Sequence, residues 1–331
     1  MADVARVAAV SPMTVSRALK ADTSVSAATR ERVREAADSL GYVLDSTAAG
    51  LSSRRSGFVA MTIPSINNAN FADTARGLTE GLREAGLELL LGYTDYDVDE
   101  EERLIEAFLR RRPEALVVTG GAHTERCRTL LAASGVPVVE TWDRPTDPID
   151  RVVGFSNAEA GRKIAEHFHE LGYRRIGYIG GDGSRDTRGA DRRRGFVAAL
   201  HGLGLSTDRM ITDAAPPISM QEGGDAMNRL LDRWPDTEAV MCVSDLSAFG
   251  AMAAAQRRGL TIPDNIAIAG FGAYDLSEHA IPAITTIDSR ALEIGLQTAD
   301  LIREMLGETP SDAPRTVEVD IDLVVRPSTS T

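Results

Sequence analysis

The stretch from Ser11 to Leu19 combines one cation with several small hydroxyls, a set of side chains suited to nucleic acid. Ser11 is a common helix N-cap and Pro12 suits the first helical position, which predicts a helix that begins sharply here. Its apolar residues fall on one face, and the other side chains project toward phosphates and base edges. The residues predicted to contact DNA are Ser11, Pro12, Met13, Thr14, Ser16 and Arg17. The alternative interpretation is an ordinary short amphipathic helix.

Two more short helices are predicted beside this one. The first runs from Asp3 to Ala8, and the third runs from Ser26 to Leu40 and ends at Gly41. Ser26 is a suitable cap, and apolar residues of the third helix repeat every three or four positions. Three short helices that share a small apolar core predict a helix-turn-helix fold.

The charge of the chain is unevenly distributed. The 331 residues carry a net charge of -13, which by itself argues against nucleic acid as a partner. Residues 1–55, however, hold eight basic and six acidic side chains, so this segment is +2 and the remainder is -15. A basic head on an acidic body is compatible with a small DNA-binding domain.

The two cysteines, Cys127 and Cys242, lie far apart within apolar runs. This placement predicts buried free thiols rather than a disulfide or a zinc site, and no cofactor is expected. Apolar runs of transmembrane length and a signal-peptide pattern are both missing from the sequence, so we expect a cytoplasmic protein with no membrane partner.

From Gly57 onward, short apolar strands alternate with amphipathic helices. This pattern predicts parallel sheets covered by helices on both faces, with ligands at the carboxyl ends of the strands. The predicted strands are Val59–Ile63, Leu87–Gly92, Ala115–Thr119, Val136–Glu140, Ile176–Gly180, Ala239–Val243 and Ile266–Gly270.

Several linked motifs resemble the lac-repressor (LacI/GalR) family. They are Asp-Val-Ala at 3–5, Val-Ser-Pro-Met-Thr-Val-Ser-Arg at 10–17, Val-Ser-Ala-Ala-Thr-Arg-Glu-Arg-Val at 25–33 and Leu-Gly-Tyr at 40–42. The resemblance continues in the body, with Gly-Val-Pro-Val-Val at 135–139 and Ile-Ala-Gly-Phe at 268–271. Within the family, motifs such as Tyr-Thr-Asp-Tyr at 93–96 are similar to those of the gluconate-utilisation repressors.

The resemblance implies three parts and an α/β fold class. Residues 1–44 would form an all-α helix-turn-helix head. Residues 57–331 would form a two-lobed body with parallel sheets, similar to a periplasmic binding protein. This body would bind the effector and form the dimer. Residues 45–56 would form a hinge helix on DNA, with Leu51 as the wedge between base steps in the minor groove. The alternative for this segment is a plain flexible linker.

The same resemblance implies an effector site between the lobes. Arg192 matches the family's cleft arginine, and its alternative is a solvated arginine in a run of three. Asp245 matches the cleft acid that accepts from hydroxyls, and it could also cap the following helix. The other candidates are Ser65, Asn68 and Phe71, which follow the first strand of the body, and His123, Asp143 and Arg290. Phe71 could equally pack in the core, and the alternative for His123, Asp143 and Arg290 is a surface or structural position. Gly272 stands where many relatives carry a second cleft aspartate, which puts ordinary sugar recognition in doubt.

Two departures from the family pattern concern the first helix. Met1-Ala2 leaves this helix nearly uncapped, and Ala9 replaces the usual turn glycine. Because a lost N-cap costs roughly 1 kcal/mol, we expect that Met1 is not the native start or that the head is partly disordered. A sensor protein that has lost operator binding is therefore the alternative function.

An enzyme is the competing class, and the sequence does not favour it. The segment Gly181-Asp182-Gly183-Ser184-Arg185-Asp186 begins like a dinucleotide loop, but Asp186 occupies the place of the third glycine. We instead predict a homodimeric transcriptional regulator, a repressor of a pseudo-palindromic double-stranded operator. Its effector is expected to be a small sugar acid such as gluconate, or a close polyol relative. The subgroup resemblance points to gluconate, and Arg192, with Gly272 in place of an acid, shifts the cleft toward positive potential. Asp143 and Asp245 stand against an acid, because two carboxylates would repel an anion.

Overall fold

The structure is a computed structural model that describes residues 1–19, 24–43, 56–307 and 315–330. The chain forms two compact units, Met1–Ser56 and Gly57–Thr331. Most of the predicted hinge, including Leu51, lies outside the described residues. In the part of the chain that is described, no helix is both long and apolar enough to cross a membrane.

The first unit contains three helices, α1 (Ala2–Val7), α2 (Pro12–Leu19) and α3 (Ala27–Ser39), close to the predicted bounds. Their small core includes Val4, Val15 and Val33, all fully buried. The Ser11 hydroxyl accepts from the Thr14 N–H at 3.1 Å, which caps α2 as predicted. The structure therefore confirms the predicted helical head.

Helix α1 has the two weak ends that the sequence indicates. Its N-terminus has no side-chain cap. At its C-terminus, the Val10 N–H donates to the Ala5 carbonyl at 3.0 Å and the Ala9 N–H to the Arg6 carbonyl at 3.4 Å, the Schellman pattern. This pattern holds Ala9 at φ +54°, a left-handed conformation that favours glycine.

The second unit has two lobes. The N-terminal lobe is built on a six-stranded parallel sheet in the order β11-β5-β4-β3-β1-β2. Its strands are β1 (Phe58–Ile63), β2 (Glu88–Tyr93), β3 (Ala115–Thr119), β4 (Val138–Thr141), β5 (Arg151–Gly154) and β11 (Thr316–Glu318). Its helices are α4 (Ala69–Arg83), α5 (Val98–Leu109), α6 (Glu125–Ala133) and α12 (Ala291–Met305). Every residue of β3 is buried, as expected for a parallel sheet covered on both faces.

The C-terminal lobe has a four-stranded parallel sheet in the order β7-β6-β8-β9. Its strands are β6 (Ile176–Gly181), β7 (Met210–Ala214), β8 (Ala239–Cys242) and β9 (Ala267–Ala269). Its helices are α7 (Asn157–Glu170), α8 (Thr187–Gly202), α9 (Met220–Arg233), α10 (Asp245–Arg257) and α11 (Asp275–His279).

The chain passes between the lobes three times, after β5, before α12 and after β11. A two-stranded antiparallel ribbon, β10 (Thr286–Asp288) with β12 (Asp322–Val324), lies at two of these crossings. At the first crossing, Phe155 packs against Trp142 on one side and Phe271 on the other, with ring centroids 5.7 and 6.1 Å apart. This architecture confirms the two-lobed α/β body with crossing strands.

Candidate functional site

A cavity of about 150 Å³ lies between the lobes, where loops follow the carboxyl ends of strands from both sheets. Ser65 follows β1, Trp142 follows β4, and Ser244 follows β8. Of the predicted effector residues, four line this cavity: Ser65, Asn68, Phe71 and Arg192. The parallel-sheet topology explains why residues so far apart in sequence meet here.

The N-terminal lobe supplies polar and aromatic side chains whose positions are held by local contacts. Asn68 caps α4 by accepting from the Asn70 N–H at 3.0 Å, and the Ser65 hydroxyl accepts from the Asn67 N–H at 3.2 Å. Phe71 meets Trp142 edge-on, with ring centroids 5.3 Å apart. Trp142 has φ +69°, an uncommon conformation for a bulky residue that turns its ring into the cavity wall.

Arg192 is a buried cation of the cavity wall, with its side chain 9% exposed. Its Nη1 donates to the Asn157 Oδ1 at 2.6 Å, and its guanidinium lies 4.1 Å from the ring centroid of Phe271. Asp186 Oδ2 is 3.8 Å from Nη2. The buried Nε has no hydrogen-bond partner among the described residues. One donor of this guanidinium is therefore unpaired in the ligand-free structure.

A second buried arginine, Arg188, also lines the cavity, and the sequence analysis missed it. Its Nη1 donates across the cleft to the Thr119 carbonyl at 2.9 Å, and its guanidinium lies 5.6 Å from the Phe71 ring and 5.8 Å from the Tyr96 ring. The sequence spacing could have indicated Arg188. Residues four apart on a helix share a face, and Arg188 precedes the predicted cleft residue Arg192 by four.

Two tyrosines complete the wall, and both are kept neutral. Burial raises the pKa of Tyr96 to about 12, with a smaller contribution from the charge of Asp186. Burial likewise raises the pKa of Tyr274 well above its usual range. Aromatic faces with neutral hydroxyls suit a ligand that presents both C–H and O–H groups. Asp186 is the only carboxylate among the described lining residues, against two guanidinium groups.

Asp245 does not line the cavity. It is fully buried, its Oδ1 accepts from the Thr286 hydroxyl at 2.7 Å, and its Oδ2 accepts from the Tyr274 N–H at 2.8 Å. Ser244, not Asp245, caps α10. Burial raises the pKa of Asp245 to about 6, partly offset by these hydrogen bonds. The structure therefore places Asp245 behind the wall, where it positions the backbone of Tyr274.

Three other predicted effector residues also lie outside this cavity. Arg290 forms ion pairs with Asp322 at 2.8 Å and Glu293 at 3.4 Å at the lobe crossing. Asp143 borders a separate surface depression, where its Oδ1 accepts from the N–H of the next residue. His123 lines a second cavity of about 260 Å³ that shares Arg188 and Tyr96 with the first.

His123 belongs to a buried cluster with two glutamates. Its Nδ1 is 2.6 Å from Glu101 Oε2, and its Nε2 is 3.6 Å from Glu140 Oε1. Burial alone would lower the pKa of His123, but the hydrogen bond with Glu101 and the charge of Glu140 outweigh it and raise the pKa to about 9.

The surroundings of Gly272 explain why this position does not carry an acidic side chain. Its φ is +123°, and a Cβ there would lie 2.4 Å from Tyr274 Cε1 and 2.7 Å from Asn70 Nδ2. The Tyr274 ring occupies the space that a side chain at residue 272 would need.

In the helical head, α2 presents the predicted DNA-contacting residues on its outer side. Ser11, Pro12, Met13 and Arg17 are exposed, Thr14 and Ser16 are half-buried, and Met13 is 64% exposed. Val15 and Ala18 face the core. This arrangement is the one that a helix entering the major groove requires.

A helix-turn-helix head joined to a two-lobed body with a cleft cavity defines a ligand-responsive DNA-binding regulator as the class of protein. Comparison with known families supports this conclusion directly. Residues 1–45 match the bacterial regulatory proteins of the lacI family, and residues 165–329 match the periplasmic binding protein-like domain.

Whole-chain relatives agree. The HTH-type transcriptional regulator GntR of Pseudomonas aeruginosa is 36% identical over 328 residues, covering 99% of this chain and 94% of the relative. A LacI-family transcriptional regulator from Silicibacter pomeroyi has a similar structure, with a TM-score of 0.93, 32% identity and coverage of 99% and 98%. The transcription regulator GntR of Chromobacterium violaceum matches with a TM-score of 0.78 and 32% identity, covering 83% of this chain and 100% of the other. The chain belongs to the LacI family and is a DNA-binding transcriptional regulator, which confirms the family prediction.

Proposed function

We propose that this regulator is a homodimeric repressor whose effector is a small sugar acid such as gluconate, bound in the cavity between the lobes. The observation that carries the proposal is the charge of the cavity wall. The wall contains two buried guanidinium groups, of Arg188 and Arg192, and one carboxylate, of Asp186. In addition, the Arg192 Nε lacks a hydrogen-bond partner among the described residues. A carboxylate accepts bidentate hydrogen bonds from a guanidinium, whereas a neutral sugar gains nothing from the excess charge.

The position of Asp245 removes an objection to an anionic ligand. Two aspartates in the cleft would repel a carboxylate, but Asp245 is buried behind the wall and Asp143 borders a different depression. The remaining wall suits the polyol part of a sugar acid. Amides such as Asn68, hydroxyls such as Ser65 and the ring of Trp142 offer hydrogen bonds and an apolar face.

Arg188 also offers a route from ligand to DNA affinity. It lies on α8 of the C-terminal lobe and binds the Thr119 carbonyl of the N-terminal lobe. Arg185, two residues before the same helix, donates to the Asp95 and Tyr96 carbonyls of that lobe. A ligand carboxylate that recruits Arg188 competes with the Thr119 carbonyl, and so favours one arrangement of the lobes over another. We propose that the ligand-bound arrangement releases the operator.

The operator is proposed to be pseudo-palindromic, because one head reads only a few base pairs and a two-fold dimer mirrors a two-fold site. Pro12, Met13 and Arg17 are proposed to set sequence choice, since they are the exposed outer residues of α2. Sedimentation of the protein with operator DNA tests the dimer, and a monomer on DNA would contradict it.

Isothermal titration with gluconate, related sugar acids and the matching neutral sugars tests the effector. We expect binding of an acid and no comparable binding of glucose. Arg192→Ala should remove about 2 kcal/mol or more of acid affinity, since hydrogen bonds to charged groups contribute about 1.5–3 kcal/mol. Ile66→Ala, which truncates an exposed side chain outside the cavity lining, is the matched control. Binding of a neutral sugar alone, or unchanged acid affinity in Arg192→Ala, would refute the proposal.

A further inference from the structure

A cluster of metal-ligating side chains lies inside the N-terminal lobe, apart from the effector cavity. Glu101 on α5, His123 before α6 and Cys127 on α6 each offer one ligand atom, and these atoms all lie within 4.8 Å of one another. The side chains of His123 and Glu101 are 0% and 8% exposed, and Cys127 is fully buried. An imidazole nitrogen, a carboxylate oxygen and a thiolate form a donor set that zinc prefers.

Each ligand is oriented by a further contact. The Thr62 hydroxyl donates to Glu101 Oε1 at 3.1 Å, which leaves Oε2 toward His123 Nδ1. His123 Nε2 lies 3.6 Å from Glu140 Oε1, and both atoms lack a hydrogen-bond partner among the described residues. A zinc-bound histidine commonly donates its other N–H to a carboxylate, and Glu140 stands in that place.

Burial, and to a smaller extent the charges of Glu101 and Glu102, raise the pKa of the Cys127 thiol to about 12, so Cys127 would become a thiolate only with a cation bound beside it. Cys127 is the third residue of α6, where its N–H donates to the Thr124 hydroxyl at 2.9 Å. The positive end of a helix dipole stabilises a thiolate. A metal also needs access, and Glu101 and His123 line the cavity of about 260 Å³ described above.

We propose that Glu101, His123 and Cys127 bind one zinc ion, with Glu140 orienting His123 and the fourth coordination position open to the adjoining cavity. Zinc would take the place of the proton between His123 Nδ1 and Glu101 Oε2 and of the thiol proton of Cys127, and both protons would leave to solvent. The divalent ion replaces two protons, so the net charge of the buried cluster stays the same. The Nε2–H of His123 would then donate to Glu140 Oε1, which pairs both atoms that now lack partners.

The test uses the full-length protein, dialysed against Zn²⁺ or Co²⁺ and then desalted. We expect one metal ion per chain by elemental mass spectrometry. The Co²⁺ form should show a thiolate-to-cobalt charge-transfer band in the near ultraviolet and ligand-field bands of tetrahedral intensity in the visible. Cys127→Ser should lose the charge-transfer band, and Cys242→Ala, which changes the other buried free cysteine, should keep it.

Glu140→Gln provides a second measurement that leaves all three ligands in place. Its zinc affinity, measured by competition with a chromophoric chelator, should fall about 10–100-fold, the usual effect of losing a carboxylate partner of a ligating histidine. In addition, zinc should raise the melting temperature of the wild-type protein and not that of Cys127→Ser. Wild-type protein that holds no stoichiometric metal, or a cobalt spectrum that Cys127→Ser leaves unchanged, would overturn the proposal and leave the cluster as an ion pair of His123 with its glutamates.

Discussion

Replacement of Arg188 by Met should separate the recognition of a sugar acid from that of a neutral sugar. The substitution removes the charge and roughly keeps the volume of a side chain that is 7% exposed. It eliminates the 2.9 Å hydrogen bond to the Thr119 carbonyl and the cation–π interactions with the Phe71 and Tyr96 rings. The same substitution takes one of two cations out of the cavity wall.

The magnitude follows from these contacts. A hydrogen bond to a charged group contributes about 1.5–3 kcal/mol, and a buried carbonyl left unpaired costs about 1–3 kcal/mol. The first value, applied to a carboxylate ligand, corresponds to a loss of gluconate affinity of about 10–100-fold. The second value applies to the interface between the lobes in the absence of ligand, and predicts a lower melting temperature of the ligand-free variant.

Isothermal titration and thermal unfolding on the same samples measure the two effects separately. Arg188→Lys is the matched control, because it retains the charge without the bidentate geometry and should lose less affinity than Arg188→Met. If Arg188→Met binds gluconate within about threefold of wild type, the proposed role of Arg188 in anion recognition is refuted.

Three further predictions concern the head and the cavity wall. Ala9→Gly should stabilise the head by about 0.5–1 kcal/mol. The left-handed conformation costs alanine about 1–2 kcal/mol, and the greater conformational entropy of glycine in the unfolded state offsets part of the gain from removing this cost. Hydrogen exchange of the α1 amides measures this change, and Gly41→Ala, at φ +59° with open space around it, should show the opposite sign. Gly272→Asp should destabilise the body and weaken ligand binding rather than add sugar affinity, whereas Gly202→Asp, in open space, should change stability little by thermal unfolding. Asp245→Asn should remove a pH dependence of the free energy of unfolding. Because the folded-state pKa of Asp245 is raised to about 6, the wild-type protein should gain stability relative to the variant as the pH falls from about 7 to about 4. Denaturant titrations measure this, and an equal pH dependence in both proteins would contradict it.

The fold was predictable where a strand is apolar and uniformly buried. The predicted bounds of β3, Ala115–Thr119, match the structure, because all five residues are buried and apolar or hydroxylated. The sequence pattern did not predict β5, β7, β10, β11 or β12. These strands are only three to five residues long, and most carry exposed polar residues at a sheet edge or a lobe crossing. Such strands form because a neighbouring strand offers hydrogen bonds, a condition that no local pattern reports.

The site was predictable in position but not in the direction of each side chain. Asp245 does follow β8 at the cleft edge, yet it turns inward to Thr286 and Tyr274, which lie 41 and 29 residues away in sequence. Arg188 is the opposite case, a residue that was not predicted and does line the cavity. It is held there by the Thr119 carbonyl, which is 69 residues away in sequence. Contacts of this range depend on the packing of two lobes, so the residue type alone leaves binding and structural roles undecided.

Operator binding measured with and without sugar acid tests the central claim most directly. Labelled genomic fragments that the protein retains in a gel shift serve as operator, and fluorescence anisotropy follows the binding of the protein to them as gluconate or glucose is added. We predict that gluconate weakens operator binding by at least about tenfold, that glucose does not, and that Arg192→Ala stays bound in the presence of gluconate. Release by glucose alone, or operator binding that gluconate leaves unchanged, would contradict the account.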